Sequence, residues 1–113
     1  MGRRDELIEK YAQDIRDKFG EEPDMALLKK VVIGLGPSIY NADAETVAGS
    51  DPAELERVRK NFLVKKLSLE DSDDLMAAID EVIAKYGRSN RNKYRAVIYY
   101  MLVRKYGRES IYG

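Results

Sequence analysis

Cysteine and histidine are both absent from the 113 residues. Without cysteine there is no disulfide frame, no thiolate nucleophile and no zinc ribbon. Without histidine the chain lacks the commonest transition-metal ligand and the side chain best matched to proton transfer near neutral pH. No cofactor or metal is therefore expected, and an enzyme is unmotivated. Net charge is missing too. Twenty Lys and Arg cancel twenty Asp and Glu, so no overall field draws the molecule toward nucleic acid or an anionic membrane. Nor does any run approach the ~20 apolar residues of a membrane span. The first residues, Met1-Gly2-Arg3-Arg4-Asp5-Glu6, lack the apolar core of a signal peptide, and Glu6 breaks the myristoylation pattern. A cytoplasmic location without membrane association is the expectation.

What is present is helical patterning, and it points to an all-α fold. The expected architecture is one domain over residues 1–113: a compact bundle of four long helices plus one or two short ones, with the last helix central. Asp5 to Phe19 carries Leu7, Ile8, Tyr11, Ile15 and Phe19 on one stripe. Met25 to Ile33 follows as a second helix, with a strand at Val31-Val32-Ile33 as the alternative. Asp43 is expected to cap a turn at Ala44 to Ala48. Ser50 or Asp51 with Pro52 starts a helix running to about Lys66. Asp71 or Ser72 caps the next, Asp73 to Tyr86. The stretch Asn90 to Gly107 closes the chain, and its middle, Ala96 to Val103, is eight consecutive apolar or aromatic residues. Tyr94, Val97, Ile98, Met101 and Leu102 line one side of it; Ala96, Tyr99, Tyr100 and Val103 cover the other. A helix apolar on both sides is either central to a bundle or packed against a second chain.

Lys18-Phe19-Gly20, Lys85-Tyr86-Gly87 and Lys105-Tyr106-Gly107 punctuate the helix ends. Lysine meets the negative end of the dipole, glycine takes the left-handed conformation, and the aromatic folds back on the last turn.

Three segments, Gly36 to Val47 (GPSIYNADAETV), Asn61 to Leu67 (NFLVKKL) and Ser89 to Val97 (SNRNKYRAV), resemble a small bacterial family catalogued only as a domain of unknown function. The resemblance covers nearly the whole chain and implies a bacterial, cytoplasmic, single-domain protein. It carries over no activity, cofactor or catalytic residue.

Function must then be read from residues. Lys85 to Arg108 holds eight basic residues and no acidic one. Arg88, Arg91, Lys93 and Arg95, interleaved with Ser89, Asn90, Asn92 and Tyr94, are candidates for an anion or nucleic-acid site, because free N–H groups at a helix start bind phosphate and Arg adds a bidentate fork. Dipole complementarity and helix-to-helix attraction explain the same charges. A helix-turn-helix about Gly87 to Asn90 is disfavoured, because the second helix is apolar beyond its first turn. Val31 to Ser38 lacks the third glycine of a dinucleotide fingerprint, which falls at Ile39. Asp71-Ser72-Asp73-Asp74 fails as a calcium loop at Leu75 and Met76. Ser38, Tyr40, Asn41 and Asp43 form the densest polar cluster in an irregular stretch, for which turn and capping roles suffice. Tyr99, Tyr100 and Val103 are the interface candidates, for the protein's own core or for a homodimer with a twin helix. The leading expectation is a non-catalytic interaction module acting through helix surfaces. Phosphate or nucleic-acid binding at the basic turn is the alternative.

Overall fold

In the computed structural model, which describes residues 2–113, six α-helices follow one another: α1 Arg3–Phe19, α2 Met25–Leu35, α3 Ala42–Glu45, α4 Pro52–Arg57, α5 Asp73–Tyr86 and α6 Arg95–Tyr106. Four of these exceed ten residues (17, 11, 14 and 12), and no strand occurs among the described residues. The all-α architecture is that read from the periodicity. Val31 to Ile33 is helical, continuous with the good helix formers before it.

Helix α6 is the centre. It packs against α1, α2, α3 and α5, and Val97, Ile98, Leu102 and Val103 are fully enclosed. The apolar stripes of α1, α2 and α5 converge on it in one continuous core. Burial of such side chains contributes roughly 1.5–3 kcal/mol each, and this drives the assembly.

Local signals place most helix ends. Asp24 accepts the Leu27 amide as the N-cap of α2, and Asp51 accepts that of Ala53 as the N-cap of α4, with Pro52 in the first turn. Gly20 and Gly107 take the left-handed conformation at φ 66° and 63°, as the lysine–aromatic–glycine pattern requires. Gly87 ends α5 differently, at φ 111° and ψ 108°.

Three local expectations are corrected. The short helix α3 is capped by Asn41, whose side chain accepts the Asp43 amide, so it lies two residues earlier than a cap at Asp43 would place it. Helix α6 starts at Arg95, and the residues from Arg88 to Lys93 form a loop ahead of it instead of its first turn. Beyond α4 the expected α-helix widens into a π-helix, Val58–Lys66. There the Leu67 amide reaches back five residues to the Phe62 carbonyl (2.9 Å), and Ser68 turns the chain at a left-handed φ of 58°. Single 3₁₀ segments cover Gly36–Tyr40 and Glu109–Tyr112.

Candidate functional site

The two irregular stretches, the one around Thr46 and the one ahead of α6, meet. The Val47 amide donates to the Lys93 carbonyl at 2.8 Å, and Thr46 faces Tyr94 in an isolated antiparallel bridge. Both stretches are too rich in turn-forming residues to continue a helix, so their backbone groups pair with each other instead.

Two charged side chains are buried among the described residues, Glu54 (8% exposed) and Lys93 (6%), and both sit at this junction. Lys93 Nζ donates to the carbonyls of Arg88 (2.9 Å) and Asn90 (2.5 Å), so its charge knits its own loop together. Glu54 Oε1 accepts from Arg95 Nη2, and Glu54 Oε2 accepts from Arg57 Nε (3.1 Å) and Nη2 (2.6 Å). Arg95 also donates through Nε to the Ala44 carbonyl (2.9 Å) and through Nη1 to the Tyr99 hydroxyl (3.2 Å). The Tyr99 ring in turn stacks on Phe62 with centroids 3.8 Å apart. One guanidinium thus ties α3, α4 and α6 together.

Burial pushes the Glu54 carboxyl up, but the hydrogen bonds from Arg57 and Arg95 outweigh that and hold it below the usual carboxylate range. A carboxylate moved further from neutral pH is poorly matched to general acid–base work there. Beside it lies a polar cleft of about 380 Å³ whose lining includes Asp43, Thr46, Asp51, Arg57 and Arg91. Its charges are mixed, and no three His, Cys, Asp or Glu side chains gather around one metal position among the described residues.

A second concavity, of about 280 Å³, lies on the helices themselves. Phe19, Val82 and Met101 line it with apolar surface, together with Glu21, Glu81, Lys85, Arg104 and Lys105. It opens where the end of α1 meets α5 and α6. Lys105 pairs with Glu81 at 3.1 Å.

The family model described as protein of unknown function (DUF2853) matches residues 10–110. The chain belongs to this family. The matched span of this DUF2853 chain contains both concavities. No curated protein matches it.

The four basic candidates do not converge as free charges. Lys93 is spent on two carbonyls, Arg95 is spent on Glu54 and Ala44, and Arg88 pairs with Asp80 at 2.9 Å on the surface. Arg91 is exposed beside the polar cleft. Of the interface candidates, Tyr100 and Val103 are fully enclosed by the chain's own elements, and the Tyr100 hydroxyl accepts the Asp24 amide at 2.8 Å. Tyr99 is half-buried against Phe62. The covering that a twin helix would have supplied comes from within the chain. No local signal marks Glu54, which has the look of an ordinary first-turn acid, and none joins Phe19, Val82 and Met101, which stand on the apolar stripes of three different helices. Among the described residues no helix is long and apolar enough to cross a membrane.

Proposed function

We propose that this DUF2853 chain is a single helical domain working as a non-catalytic interaction module, which presents helix surfaces to a protein partner. The observation that carries this reading is the groove floored by Phe19, Val82 and Met101 and bordered by charged side chains of α5, α6 and the turn after α1. An apolar floor inside a polar rim is the usual anatomy of a protein-binding surface. Glu54, Arg57, Lys93 and Arg95 at the loop junction are, by contrast, taken up by partners within the chain. A bacterial cytoplasmic setting suits a chain without cysteine.

The test compares Met101→Glu with Glu54→Gln in the native cell, with folding of both checked by amide NMR spectra. Complex formation by the tagged protein should be lost in Met101→Glu and kept in Glu54→Gln. The reverse pattern would move the function to the loop junction and defeat the groove reading.

A second reading, phosphate or nucleic-acid binding, is favoured by one observation: Arg91 is exposed and makes no ion pair or side-chain hydrogen bond among the described residues. It requires affinity for a duplex oligonucleotide that falls steeply with salt. Unchanged binding by Arg88→Glu/Arg91→Glu would end it.

A further inference from the structure

The outer face of α5 and the groove beside it share a self-complementary arrangement of charge. The acids in the middle of the helix are neutralised within the chain, Asp80 by Arg88 at 2.9 Å and Glu81 by Lys105 at 3.1 Å. Among the described residues, the charges of α5 left without an ion pair lie at its two ends: Asp73 and Asp74 in the first turn, Lys85 in the last. Lys85 follows Asp74 by eleven positions. At about 100° and 1.5 Å per residue, the two side chains stand on the same flank of the helix, within about 20° of each other and some 16 Å apart. That flank faces α6. Its far end carries Tyr106, half-buried and within the field of Asp74 and Glu81, and its near end is the groove over Val82 and Met101.

We propose that the groove is occupied by a second copy of this chain, in an antiparallel two-fold pairing of the α5–α6 faces. Asp74 and Tyr106 of each copy then lie over Lys85 and the groove of the other. This rests on the groove reading above and names its partner. A two-fold axis across the middle of α5 reverses the helix and brings each acidic end to the other copy's basic end, so one contact is made twice. Tyr106 supplies the apolar group at the height of the groove, with a hydroxyl that stays at the wet rim. Ala77 and Ala84 are exposed next to this flank, about 60–80° round the helix from Asp74, so no bulky side chain borders the pairing face there. The interface differs from one built on Tyr99, Tyr100 and Val103, two of which are sealed inside the chain.

Two helix faces of this length fall at the low end of specific interfaces, so the dimer is concentration-dependent and measured up to about 1 mM protein. Sedimentation equilibrium at low salt tests it with two variants, Asp73→Lys/Asp74→Lys and Lys85→Glu. Each variant alone sets like charges against each other at both ends of the pairing. Each should self-associate at least about tenfold more weakly than the parent chain. Mixed together, they restore attraction at both ends, so the mixture should regain the parent affinity, which two misfolded variants could not do. A strict monomer overturns the proposal, as does a dimer indifferent to both reversals or a mixture that stays dissociated. Any of these, combined with a complex in the cell that Met101→Glu abolishes, would leave the groove as a docking site for a different protein. Loss of that complex dependence as well would remove both.

Discussion

The guanidinium of Arg95, at the start of α6, donates to the carboxylate of Glu54 in α4, 41 positions earlier in the chain. A half-buried ion pair of this kind gives less net stability than its geometry suggests, because both charges lost water to form it. Its physical role is registry: Arg95 can satisfy Glu54, Ala44 and Tyr99 together in one arrangement of α3, α4 and α6 only.

Removing one partner should therefore cost more than removing both. Glu54→Ala leaves the half-buried Arg95 without its counter-charge and is expected to lower unfolding stability by about 3 kcal/mol. Glu54→Leu/Arg95→Met should cost less than either single change. Urea denaturation of the parent, Glu54→Leu, Arg95→Met and the double variant measures the coupling. Strictly additive losses would show that the pair has no special role.

Acid should act through the same carboxylate. Glu54 titrates below its ordinary value of 4.5 in the folded protein, so the unfolded chain takes up the proton first as pH falls. The stabilising contribution is complete above 4.5 and is lost below it. Glu22 and Asp80, held down by Arg16 and Arg88 on the surface, act in the same direction. The stability gap between the parent and Glu54→Gln should narrow as pH falls from about 7 to about 3. A gap that stays constant over that range would refute the assignment.

Alkali should act through the tyrosines. Burial raises the hydroxyls of Tyr11, Tyr86 and Tyr100, and the carboxylates of Glu45 and Asp14 add to the first two. Tyr112 is pushed up to about 12 by burial. A raised folded value means the unfolded chain ionises first, so stability is full below 10.0 and is lost as pH climbs beyond it. Phenolate absorbance of the buried rings should appear together with loss of helical circular dichroism. If all eight tyrosines ionise at their ordinary value with the helices intact, this is wrong.

Lys93 is read as a structural cation. Lys93→Met keeps most of the stem but frees the carbonyls of Arg88 and Asn90, and should cost about 2 kcal/mol. Amide exchange should rise across residues 87–94, the loop that Lys93 gathers. Unchanged exchange there would show the ammonium to be dispensable.

Ser68 holds a left-handed φ of 58° at an exposed turn without being glycine. Ser68→Gly should raise thermal stability by up to about 1 kcal/mol, because the strain removed exceeds the added chain entropy. A drop in melting temperature would contradict that.

The features legible in the sequence are those written within one or two helical turns. Asp73 to Tyr86 is a helix with the bounds its periodicity sets, since its apolar spacing and the glycine beyond it lie in adjacent residues. The start of α6 lies several residues later than the sequence pattern sets it, because the backbone just ahead of it is held elsewhere: the Lys93 carbonyl accepts the Val47 amide and the Tyr94 amide donates to the Tyr86 hydroxyl at 3.2 Å. The π-helix carries no local mark at all. Neither periodicity nor propensity distinguishes a five-residue return from a four-residue one over Val58 to Lys66.

By itself the sequence determined an all-α chain with two-sided apolar α6 and the charge blocks at the ends of α5, since burial periodicity and dipole complementarity are properties of each segment alone. Only the tertiary structure decided that the chain's own helices enclose Tyr100 and Val103, that Glu54 and Lys93 become buried charges, and that Phe19, Val82 and Met101 share one groove. Each of these depends on which distant residues arrive beside it, and the order of residues along one segment holds no record of that distance.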